Sequence, residues 1–168
     1  MKNIVLVGFM GTGKTVTAKA LAKRLGLRYV SIDDLIEKKE NKKISDIFAE
    51  NGEEYFRKIE SEAIREAAAI EGVVIDAGGG AVIKEENVKN LKKTGVIICL
   101  TATPDVILQR TKNQAHRPLL NVPDPKSKIE ELLAKRLPYY KKADFIIDTS
   151  DMAPVEAAGK IEKIMHGR

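Results

Sequence analysis

The chain has 168 residues, 43% hydrophobic and 32% charged, with 12 Gly and 6 Pro. That composition excludes collagen-like, low-complexity and disordered classes and predicts one domain whose core needs no metal or disulfide staple. Its 29 Lys and Arg against 24 Asp and Glu give a formal charge of +5, which suits an anionic ligand or an ordinary basic surface. The single cysteine, Cys99, lies in an apolar run and reads as a buried structural thiol. Residues 4–7 are apolar but Gly8 follows at once, too short for a signal peptide, and no run approaches the ~18 apolar residues of a membrane span. The expectation is a cytoplasmic protein without a membrane partner.

In chain order, runs rich in Val and Ile at 4–7, 73–75, 96–100 and 145–147 predict strands buried on both faces, with 29–32 a weaker fifth. Helical spacing covers 17–25, 53–70, 85–91, 104–110, 128–140 and 154–165. Strands alternating with helices predict an α/β fold around a parallel sheet, one unit over residues 1–168. Two segments break the alternation. Residues 33–70 hold more helix than a crossover requires, and residues 112–125 are polar and proline-broken, a loop length that is usually functional, here a lid.

Gly8-Phe9-Met10-Gly11-Thr12-Gly13-Lys14-Thr15 matches G-x-x-x-x-G-K-[ST], directly after the first strand and opening a helix. Glycines let successive N–H groups point inward at phosphate oxygens, and the helix N-terminus favours negative charge. Gly11, Thr12, Gly13, Lys14, Thr15 and Val16 are therefore candidate nucleotide contacts. Lys14 reaches the β- and γ-phosphates, and the Thr15 hydroxyl is placed to ligate Mg²⁺. A dinucleotide fingerprint is the rival, since Asp33 lies twenty positions after Gly13, but the glycines here run G-x-x-G-x-G and Lys14-Thr15 has no purpose in that fold. A GTPase would need Asn-Lys-x-Asp, and the near match at residues 41–44 lacks the acid.

Several separate motifs between residue 4 and about 150 are together similar to shikimate kinases. They are the phosphate loop, Asp33-Asp34-Leu35-Ile36-Glu37, Ile44-x-x-Ile47-Phe48, Gly52-Glu53, Phe56-Arg57-x-x-Glu60, Gly78-Gly79-Gly80, Arg110 with Arg117-Pro118-Leu119-Leu120, Arg136-Leu137-Pro138-Tyr139-Tyr140 and Ala143-Asp144. The resemblance implies a three-layer α/β/α P-loop kinase fold with five parallel strands, with residues 33–70 as the substrate-binding insertion and 112–125 as the lid. It implies a Mg²⁺-dependent monomer that transfers the γ-phosphoryl group of ATP to the 3-hydroxyl of shikimate, without a nucleic-acid partner. Residue chemistry alone gives only a small, anionic, hydroxylated acceptor. A sugar-acid kinase, such as one for gluconate, and a nucleotide- or RNA-binding module are the other readings. Against the last, aromatic content is only 5%, which leaves few stacking platforms.

The residues have roles on chemical grounds too. Asp33, expected at the carboxyl edge of the sheet, is placed to orient the acceptor hydroxyl or take its proton, or else to cap the following helix. Arg57 and Glu60 share a helix face. Arg57, Arg136 and the N–H groups of Gly78, Gly79 and Gly80 are suited to a carboxylate. Arg117 is expected over the γ-phosphate and Arg110 against adenine beside the turn at residues 150–154. In one place the chain departs from the family it resembles. The second strand of that family usually ends in Asp-x-Asp, whereas here Ser31 stands in the first position. Strand three reads Val73-Val74-Ile75-Asp76 in the manner of a Walker B strand, so Asp76 is expected to supply the missing carboxylate to the metal's outer shell from the neighbouring strand.

Overall fold

The computed structural model describes residues 1–113 and 121–167. Its elements, in order, are β1 (Asn3–Gly8), α1 (Lys14–Leu25), β2 (Arg28–Ser31), α2 (Ile32–Glu40), α3 (Ile44–Ala68), β3 (Val73–Asp76), α4 (Glu85–Thr94), β4 (Gly95–Thr101), α5 (Pro104–Thr111), α6 (Pro125–Tyr140), β5 (Phe145–Asp148) and α7 (Pro154–His166). The five strands are parallel and ordered β2-β3-β1-β4-β5.

β1 is central and wholly buried. Its alternate residues point to opposite faces: Val5 and Val7 join the core that α3 closes with Ile59, Ala63 and Ile64, while Ile4 and Leu6 join the one that α1 and α7 close with Leu21 and Ile161. Helices on both faces explain why the strands read as continuous apolar runs. Cys99 is buried in the first of these cores, and burial pushes its thiol up to about 12, so it is a packing residue rather than a nucleophile. No helix among the described residues is long and apolar enough to cross a membrane.

The segment between β2 and β3 is two helices, α2 and α3, packed on each other, with α3 broken at Gly52 (φ 80°). The second strand is displaced by one residue from its expected place. It ends at Ser31 because the Ser31 hydroxyl accepts from the Asp34 N–H and caps α2. Asp33 therefore lies in the first turn of α2 and does not end the strand, and Ser31, not Asp33, is the cap. Sheet order fixes where a ligand can sit. From β1 the chain goes to the β3–β2 side first and returns to the β4 side later, leaving a crevice at the carboxyl ends of β1, β3 and β4.

Candidate active site

The loop from Gly8 to Lys14 leaves β1 at that crevice. Gly11 (φ 76°) and Gly13 (φ 85°) adopt the left-handed conformation that other residues rarely take, and a Cβ on Gly11 would fall 2.9 Å from Thr111 Cγ2. Gly13 is the N-cap of α1 and brings no side-chain cap, so the first-turn N–H groups face the crevice without a competing side chain. The loop is pinned from three directions. Thr12 Oγ1 donates to Phe9 O at 2.7 Å, Thr149 Oγ1 donates to Thr12 O at 2.9 Å, and Arg110 Nη1 donates to Gly11 O at 3.2 Å. Arg110 Nη2 also donates to Thr149 O at 2.7 Å, so its guanidinium ties the loop to the end of β5. Lys14 Nζ donates to Phe9 O at 3.3 Å, folded over the loop it belongs to, while Val16 points outward.

Beside this loop stand two carboxylates with different surroundings. Asp76 ends β3 in register with Ser31 of β2, and its Oδ2 accepts from Thr15 Oγ1 at 2.7 Å and from Tyr29 OH at 2.9 Å. Asp33 is exposed to the cleft, whose walls desolvate its carboxyl in part. That desolvation, followed by repulsion from Glu60 and Asp76, pushes its carboxyl up to about 6. It remains mostly ionised at neutral pH, in the range useful to a general base.

A third group gathers around the glycine triplet. Arg57 Nη1 donates to Glu60 Oε1 at 2.8 Å, and both side chains are largely buried, 15% and 2% exposed. Burial raises the Glu60 carboxyl and outweighs the opposing pull of Arg57. The Arg57 guanidinium packs so closely on Gly80 that a Cβ there would fall 2.2 Å from Nη1. Gly79 lies against Gly8 O and the buried Tyr140 hydroxyl, a phenol that burial keeps protonated. Arg136, one turn before Tyr140, faces the same cleft.

These groups line or adjoin one cleft of about 730 Å³ that runs from the phosphate loop past Asp33 to Gly78, Gly80 and Arg136, a size usual for small-molecule sites. The sequence profile of shikimate kinases matches residues 10–166. The chain belongs to the shikimate kinase family. A relative from Thermodesulfovibrio yellowstonii is 52% identical over 163 residues, spanning 97% of this chain and 94% of the relative. One from Geobacter metallireducens is 39% identical over 168 residues, spanning 100% and 94%. Among solved structures, the shikimate kinase of Acinetobacter baumannii in complex with shikimate superposes with a TM-score of 0.93 at 36% identity, covering 99% of this chain and 94% of that one.

Placed in this shikimate kinase fold, the phosphate-loop residues, Arg110, Asp33, Asp76, the glycine triplet and Arg136 line the cleft, and Arg57 packs against it behind Gly80. Arg117 and half of the expected 112–125 lid, residues 114–120, lie outside the described residues. Sequence reading missed Thr149 and Tyr29, and it quoted Tyr140 in a motif without giving it a role. Thr149 carried no motif signal at all, because its partner lies 137 positions away. Tyr29 had a faint one: a phenol two positions from a strand's end shares that end's face.

Proposed function

We propose that this chain moves the γ-phosphoryl group of ATP onto the 3-hydroxyl of shikimate, giving shikimate 3-phosphate and ADP. The observation that carries this reading is one cleft with a phosphate loop at one end, a carboxylate near the middle, and the glycine triplet with Arg136 at the other, where Arg57, paired with Glu60, packs behind Gly80. In the bound state, the loop N–H groups and the start of α1 hold the phosphates, and Lys14 swings from Phe9 O to the transferring group, where charge builds. Arg57 and Arg136 hold the acceptor carboxylate, with Glu60 fixing the Arg57 guanidinium. Asp33 orients the acceptor hydroxyl and takes its proton as the oxygen bonds to phosphorus and the β,γ-bridging bond breaks. Arg117, assigned on its motif alone, stabilises the same charge. α2 and α3 form the acceptor side of the molecule.

Among the described residues no group of three or more His, Cys, Asp or Glu side chains could hold a metal alone. That fits Mg²⁺, which keeps several waters and takes substrate phosphates with one or two protein groups. The Thr15 hydroxyl with Asp76 behind it, 2.7 Å away, is such a partial donor set. Mg²⁺ held there would neutralise charge on the nucleotide phosphates. The test is ADP release by the full chain with MgATP and shikimate, gluconate or no acceptor. Release that depends on shikimate supports the reading, and release with gluconate but none with shikimate refutes it.

A further inference from the structure

Asp76 is the carboxylate that touches the phosphate-loop hydroxyl, and a second hydroxyl holds it there. Thr15 Oγ1 and Tyr29 OH donate to the same oxygen, Oδ2, at 2.7 and 2.9 Å. The sheet explains how. Tyr29 pairs with Val74 and Ser31 with Asp76, so Tyr29 and Asp76 are diagonal neighbours on one face, a separation of about 7–8 Å between backbones that only a long side chain spans. That face is the one α1 covers. Tyr29 packs there against the core containing Val74 and Ala18, and Lys19 of α1 sits 5.5 Å from its ring centroid. Two donors on Oδ2 fix the carboxylate torsion and leave Oδ1 directed away from both, while Ser31, the register partner, offers no charge.

We infer that Tyr29 is a positioning residue for divalent-metal binding, clamping Asp76 so that its carboxylate holds the Thr15 hydroxyl and accepts from the waters of a nucleotide-bound metal. The inference rests on the reading of Thr15 and Asp76 as metal-side groups. Removing such outer partners typically costs about 10–100-fold in metal affinity.

The test titrates Mn²⁺ into the full chain saturated with ADP, reading free Mn²⁺ by electron paramagnetic resonance, in parent, Tyr29→Phe, Asp76→Asn and the double variant. Asp76→Asn should raise the Mn²⁺ dissociation constant about 10–100-fold, and Tyr29→Phe about 3–10-fold by the same rule. The double variant should match Asp76→Asn alone, because Tyr29 acts through Asp76. ADP affinity in EDTA should be unchanged in Tyr29→Phe. Adding Ser31→Asp to Asp76→Asn should restore much of the metal affinity, since Asp caps α2 as well as Ser does and stands in the next strand. Effects that add in the double variant, or a Tyr29→Phe protein that loses ADP affinity equally with and without metal, would make Tyr29 structural. An unchanged Mn²⁺ constant in Asp76→Asn would overturn both roles while leaving the kinase reading, which shikimate-dependent ADP release decides separately.

Discussion

The three glycines at 78–80 should respond unequally to a single methyl group. A Cβ on Gly78 would meet Glu60 Oε2 at 3.6 Å and Asp33 Oδ1 at 3.8 Å, ordinary contact distances. A Cβ on Gly80 would lie 2.2, 2.5 and 2.6 Å from Nη1, Nη2 and Cζ of Arg57. The guanidinium must then retreat by about 1 Å or more to reach normal contact, against a hold of 2.8 Å to Glu60. Glu60 is 1% exposed, so it cannot replace that partner with water. A charge-assisted bond is worth about 1.5–3 kcal/mol, and breaking a buried pair outright about 3–5 kcal/mol. Taking the lower range, because the far end of an arginine can yield, Gly80→Ala should lower Tm by roughly 3–12 °C in a chain of this size. A ~1 Å misplacement of a substrate-holding group should also reduce kcat/KM for shikimate by about 100-fold. Gly78→Ala should leave Tm within about 2 °C, as expected of a change under ~0.5 kcal/mol. Differential scanning calorimetry and a coupled ADP assay with varied shikimate read both quantities. If Gly80→Ala behaved like Gly78→Ala in both, the Arg57–Gly80 contact would not be what shapes the acceptor end.

Other residues lead to separable outcomes. With Asp33 as base and its carboxyl pushed up to about 6, protonation disables it, so kcat/KM should fall tenfold per pH unit below about 6. An acid limb near pH 4 would remove Asp33 from that role. Arg136→Ala should weaken shikimate binding by about 10–100-fold and leave ADP binding intact, and calorimetry showing the reverse would refute the division of the cleft. Arg110→Ala unties Gly11 O from Thr149 O and should weaken ADP about tenfold, for loss of half-exposed charge-assisted bonds, with shikimate affinity unchanged. Unchanged ADP affinity would show that the Thr12 and Thr149 hydroxyls hold the loop without Arg110.

The layers of this fold were legible because both sheet faces are covered: four strands show as apolar runs, with the edge strand β2 (Arg28–Ser31) the weak one, and every crossover shows as a helical period. The errors were local. The second strand extended one residue too far because Ile32 is apolar and suits a strand, yet the Ser31 hydroxyl and the two acids in the first turn of α2 make Ile32 the first helical residue. The long helix α3 was foreseen only from residue 53, because Gly52 and the polar stretch before it broke the period. Gly52 is where the backbone turns at φ 80°, so the sequence signal was real but marked a kink inside one helical segment.

The site separated along a different line. Motif residues are legible when spacing alone carries the chemistry, as in the phosphate loop, where N–H direction follows from glycine placement, or in Arg57 and Glu60, three apart on a helix. Groups that meet across the sheet have no fixed spacing, and Thr149 and Tyr29 belong to this class. Asp76 lies between the two. Its place after an apolar run told which edge it would reach, and the parallel pairing of Ser31 with Asp76 then made the two positions equivalent neighbours about 4.8 Å apart. A carboxylate at either reaches the ground beside Thr15, so the proposed metal-side charge can stand on β3 in place of β2, provided something holds the new side chain still. In β2 the helix cap does that for residue 31. In β3 no cap follows, since Asp76 leads into Ala77 and the glycine triplet, and the hydroxyls of Tyr29 and Thr15 supply the restraint instead.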